Sequence, residues 1–146
     1  MPQNEELMPR KEGSMQRRTY LKSILAAGAA AGLASAQKDL SKGIVLIVDM
    51  PVQAGREQEM LHNFHTIFKP AAEKQPGYID VNIVKLRTTV QGSAPPSPMN
   101  YLFILRMESE EMRQKWINSA THKRVWPTVE KTLANKDYRV LLYDIV

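Results

Sequence analysis

The chain's three histidines and two tryptophans are the side chains best suited to chemistry, and no cysteine joins them. Without cysteine there is no disulfide, no thiolate metal site and no thiol nucleophile. His62 and His65 stand three residues apart on a helical stretch and can share one side of it. A metal centre would need further ligands, and the sequence assigns none. Position 65 falls between Leu61 and Phe68 on an apolar stripe, which makes His65 pocket-lining or core, whereas His62, near Asn63 and Lys69, faces solvent. His122 follows Ser119 at the junction of two helical pieces, where an imidazole either caps backbone groups or serves as a base near neutral pH. Trp116 and Trp126 are large apolar bodies with one N–H each, and core packing is the simplest role for both. Asn82 interrupts an apolar run, and burying its amide would require partners. No carboxylate pair, glycine-rich phosphate loop or Ser/His/Asp arrangement stands out.

The elements that must position these residues follow from periodicity. Residues 43–52 form a β-branched apolar run that reads as a buried strand. From Arg56 to Lys69, Met60, Leu61, Phe64, Ile67 and Phe68 recur at three- and four-residue steps, the stripe of a core-facing helix. Pro70 kinks or divides that helix, and Gln75-Pro76-Gly77 ends it. Residues 78–87 alternate as a second strand, with Asp80 and Asn82 on one of its faces. A proline-bearing loop at 88–98 leads to a third strand at 99–107, on which Tyr101 and Phe103 share a face. Ser109 caps a helix carrying Met112, Trp116, Ile117 and Ala120; a second helical stretch spans 122–133, and a last strand spans 138–146. The order β-α-β-β-α-β is that of an α+β, ferredoxin-like sandwich. Both faces of strands one and four are apolar, so a second copy of the domain is expected to cover what the helices leave bare.

The 146 residues have room for one ordinary domain. Residues 1–36 hold five Lys/Arg against three acids, which leaves 15 basic and 12 acidic side chains in the remainder. These are interspersed, so there is no phosphate-neutralising stripe and no nucleic-acid partner is expected. The opening segment has a layout of its own. Arg17, Arg18, Leu21 and Lys22 precede an Ala/Gly-rich apolar run from Ser23 to Ala36, which closes on Ala34-Ser35-Ala36. At 14 residues the run is too short to span a hydrocarbon core of about 30 Å, so no stable membrane anchor is expected. The segment resembles a twin-arginine signal, with Gln16 and Tyr20 in place of that pattern's Ser and Phe. The resemblance implies export by the twin-arginine translocase, a periplasmic or secreted location and removal of residues 1–36. Residues 37–42 would then be a short linker, and 43–146 the working domain.

Gly55, Gln75-Pro76-Gly77-Tyr78, Tyr101-Leu-Phe-Ile-Leu, Ser109, Trp116 and Ser119-Ala-Thr-His122 together resemble the antibiotic-biosynthesis-monooxygenase type of domain over the whole of 43–146. That resemblance implies a dimeric α/β barrel with a pocket between sheet and helices. It implies a cofactor-independent oxidation of a small aromatic or quinol substrate by O₂, without metal or flavin. It makes Asn82, Trp116 and His122 the catalytic candidates, with His65, Tyr101 and Phe103 in contact with substrate. Two alternatives stay open: a non-catalytic barrel that binds a small ligand or a partner, and a haem-binding or haem-degrading relative with His122 or His65 as axial ligand. For the latter, Asp49 and Met50 stand where that branch carries an Asn.

Overall fold

A computed structural model describes residues 42–146. The signal candidates Arg17, Arg18, Leu21, Lys22, Ala34 and Ala36 lie outside the described residues. The chain runs β1 (Ile44–Met50), α1 (Glu57–Asn63), a π-helical segment (Phe64–Phe68), α2 (Lys69–Ala72), β2 (Tyr78–Lys85), β3 (Tyr101–Met107), α3 (Glu110–Asn118), α4 (Ala120–Glu130) and β4 (Val140–Asp144). The strands form one sheet in the order β2-β3-β1-β4, with every neighbouring pair antiparallel. This is the expected ferredoxin-like α+β arrangement. The sheet is open, with β2 and β4 as its edges; within one chain it does not close into a barrel.

Strand parity decides which side chains meet the helices. On β1 and β3 the positions Ile44, Leu46, Val48 and Met50, and Tyr101, Phe103, Leu105 and Met107, are buried, while the residues between them are half-buried on the other face. The helix layer stops short of β4. Val140 and Leu142 pair with Val48 and Leu46 on the helix side, yet remain 49% and 44% exposed. Among the described residues no helix is long and apolar enough to cross a membrane.

The π-helical segment sets the phase of the first helical stretch. Met60, Phe64, Phe68 and Ala72, four residues apart, are all buried. In an α-helix each four-residue step overshoots a full turn by about 40°, so such a row would wind off the core. The wider i→i+5 turn takes up the excess and keeps the row on one side. The cost falls on positions a regular stripe would bury. His65 is exposed and Ile67 is 38% exposed. Pro70 sits in the first turn after the π segment, and the helix continues through it. Further along the same layer Ser119 serves two helices. It ends α3, and its Oγ accepts from the His122 backbone N–H at 3.1 Å to cap α4. The cap starts α4 at Ala120, earlier than periodicity indicated, and so leaves Pro127 in the helix interior.

Candidate functional site

A half-open pocket of about 150 Å³ lies between the helix-facing side of the sheet and α3, α4 and the π segment. Leu46, Val48, Phe103 and Leu105 make its floor; Phe68, Trp116, His122 and Trp126 make its aromatic wall. Arg113 and Tyr138 are the polar residues beside His122, and the exposed Val140 stands at the margin. The volume is close to that of an apolar protein cavity that accommodates one benzene ring.

His122 is the titratable centre. Its ring lies edge-to-face with Trp116 at 5.0 Å and 86° between planes. It stacks on Trp126 at 6.3 Å and 13°, and Phe68 meets it edge-on at 6.2 Å. Burial against these rings, and then the Arg113 guanidinium, hold the imidazole below its ordinary pKa of 6.5. Its position in the first turn of α4, at the positive end of that helix, acts in the same direction. Arg113 is held by Glu110 through a two-pronged ion pair, Nε–Oε2 at 2.6 Å and Nη2–Oε1 at 2.7 Å. The same bond keeps the Glu110 carboxyl below its usual range. At neutral pH His122 is therefore an uncharged base on an apolar wall.

A second chain of contacts fixes the adjacent wall. Trp126 Nε1–H donates to the Tyr138 hydroxyl at 3.3 Å, and that hydroxyl donates to Glu130 Oε1 at 2.7 Å. Burial, followed by the bond to Glu130, pushes the Tyr138 phenol up to about 12. Tyr138 therefore stays protonated and serves as an anchor rather than a base.

The depressed His122 pKa has a consequence for stability. Between the ordinary value of 6.5 and its lower folded value, the unfolded chain binds a proton that the folded chain does not. Stability is then complete above about pH 6.5 and falls as pH drops through that window. The carboxylates of Glu57, Glu59 and Glu110 are lowered from 4.5 and lose their contribution only in more acid solution. Thermal melts should show the midpoint level above neutrality and declining as pH falls below about 6.5. His122→Phe should flatten that decline.

Of the sequence candidates, Trp116, His122 and Phe103 meet in this pocket. Asn82 does not. It pairs with Ile104 on the opposite face of β2, exposed, while Val81 and Ile83 face the helices. His65 points outward for the reason of helix phase given above, and lines neither core nor pocket. His62 is exposed as expected, and no group of three or more His, Cys, Asp or Glu suited to a metal occurs among the described residues. Tyr101 is buried on the correct face but at another place. Its hydroxyl donates to Glu57, whose carboxylate also pairs with Lys85 at 3.1 Å, and Lys85 Nζ lies 5.3 Å from the Tyr101 ring centre. This group ties α1 to the sheet. Burial, then the Glu57 bond, raise the Tyr101 phenol.

Phe68, Arg113, Trp126 and Tyr138 are pocket residues that sequence reasoning did not assign. Trp126 had a readable signal, since it follows His122 by four residues on one helix and such pairs are surface neighbours. Tyr138 had none, because it precedes β4 and reaches the pocket only through tertiary folding.

Fold and site together define a ferredoxin-like α+β domain with an aromatic, histidine-bearing pocket between sheet and helices. A scan against protein-family models finds no match, and no curated protein matches in sequence. Solved structures do match. A putative antibiotic biosynthesis monooxygenase from Bordetella bronchiseptica is similar with TM-score 0.58 and 18% identity, covering 72% of this chain and 98% of its own. SnoaB, a cofactor-independent oxygenase from Streptomyces nogalater, matches with TM-score 0.53 and 13% identity over 70% of this chain and 91% of its own. A dimeric ferredoxin-like protein from Jannaschia sp. CCS1 matches with TM-score 0.56 and 16% identity over 71% and 98%. These likenesses establish the fold.

Proposed function

We propose that this domain is an exported, cofactor-independent monooxygenase-like enzyme that oxidises a small aromatic or quinol substrate with O₂. One observation carries the reading: a neutral, half-buried imidazole facing an aromatic pocket of single-ring volume. In such a site His122 accepts the phenolic proton, and the apolar walls of Phe68, Trp116 and Trp126 leave the resulting anion poorly solvated and electron-rich. The anion reduces O₂. For a phenol with a free para C–H, the ring C–H becomes C=O and the second oxygen atom leaves as water, so no external reductant is required. Arg113, beside His122, stabilises negative charge developing on the substrate oxygen.

The fold shared with SnoaB and the Bordetella protein supports an oxygenase over other uses of the same pocket. Export is supported by the arginine pair and the apolar run ahead of the domain. A homodimer is supported by the face of the sheet away from the helices. There Val45, Ile47, Ile104, Leu141 and Tyr143 form an apolar surface that no other element among the described residues covers. The dimeric ferredoxin-like neighbour points the same way.

An oxygen electrode tests the activity. With a panel of single-ring phenols and hydroquinones, at least one should drive oxygen consumption above its rate of autoxidation, with one O₂ used per quinone formed. If no member of the panel raises uptake above the protein-free rate, the domain is not an oxygenase of this kind.

A further inference from the structure

The aromatic pocket has a large neighbour. A second cavity of about 530 Å³ lies at the end of the sheet, lined by Asp49, Pro96, Met99, Asp137, Tyr138 and Arg139. Tyr138 is the one residue that lines both this cavity and the aromatic pocket of about 150 Å³. Its ring stands between the two spaces, and its hydroxyl is bonded on both sides, to Trp126 at 3.3 Å and to Glu130 at 2.7 Å. Trp126 in turn stacks on His122.

We propose that Tyr138 is the specificity-determining residue of the site: a partition that restricts it to single-ring hydroxyarenes by closing off the adjoining cavity. This rests on the reading of the pocket as an aromatic site, and it adds what that reading lacks, the size class of the substrate. The base and the apolar floor act on any phenol. On the side toward the second cavity, the room beyond His122 is bounded by the Tyr138 ring, which lines both spaces. Removing the ring joins the two spaces and gives a fused second ring apolar surface to bury against Pro96 and Met99.

The test compares binding of 4-methylphenol and 2-naphthol, read from quenching of tryptophan fluorescence, in the native chain, Tyr138→Ala and Tyr138→Phe. The native chain and Tyr138→Phe should favour 4-methylphenol, because both keep the ring. Tyr138→Ala should shift the affinity ratio toward 2-naphthol by about tenfold or more. General loosening of the fold would weaken both ligands and cannot produce a gain for the larger one. Arg139→Ala, which enlarges the second cavity without touching the aromatic pocket, should leave the ratio where it was. If Tyr138→Ala does not fold, Tyr138→Leu carries the same expectation. A ratio unchanged in the shortened variant while 4-methylphenol still binds overturns the partition and leaves the aromatic site standing. Absence of binding by either phenol to the native chain overturns both.

Discussion

Replacing His122 with phenylalanine should reduce oxygen uptake by about 10²–10⁴-fold, the usual contribution of a positioned general base. Phenylalanine keeps a planar ring where His122 stacks on Trp126 and meets Trp116 edge-on, so the aromatic wall persists and only the proton acceptor is lost. The backbone N–H that Ser119 caps is also retained. Two further readings separate loss of the base from loss of the pocket. Binding of 4-methylphenol should change by no more than about threefold, since most of its contact area is apolar. The rate of the native protein should fall in acid as His122 gains its proton, whereas the residual rate of the variant should follow the substrate's own ionisation. A variant that turns over at the native rate would remove His122 from the reaction and leave the anchored Tyr138 and the paired Arg113 as poor substitutes. The first is held as a phenol with its pKa near 12, and the second is bound to Glu110.

What could be read from the chain before folding depended on how local the determining interaction was. The strands and their order followed from period-two and β-branched patterns, because the side of the sheet that a residue faces is settled within a few positions. For Trp116, His122 and Phe103 the pointer was the resemblance rather than the phase of an element, and all three line one pocket. Asn82 lies on the face it shares with Asp80, as the alternation of the strand indicates, and that face is turned away from the helices; its place in the site rested on the resemblance alone. Tyr101 was given the correct face but the wrong partners, since the charges that draw it aside, Glu57 and Lys85, come from other elements. The loop entering β4 brings Tyr138 beside Trp126 across twelve residues of sequence, and nothing in composition or spacing announces such a contact.

The helix carrying Phe64 and Phe68 yields the largest expected effect on stability, and it tests the phase of that helical stretch directly. Phe68→Ala should cost about 3–5 kcal/mol, as expected for truncating a fully buried phenylalanine. Phe68 is 1% exposed and touches the rings of Phe64, Phe103, Trp116, His122 and Trp126 at centroid distances from 5.3 to 6.2 Å. Its loss therefore removes the hub of the aromatic wall as well as core volume. Against a total stability of about 5–15 kcal/mol for a domain of this size, the thermal midpoint should fall by at least about 12 °C. Ile67→Ala supplies the contrast. A regular α-helical stripe from Arg56 to Lys69 would bury Ile67 with Phe68, and the two substitutions would then be comparably damaging. With the π turn in place Ile67 is 38% exposed, and its truncation should cost under about 1 kcal/mol. Equal losses for the two variants in thermal melts would mean that the helix keeps a regular period through residues 64–68. The wall that Phe68 builds beside His122 would then have to be drawn again.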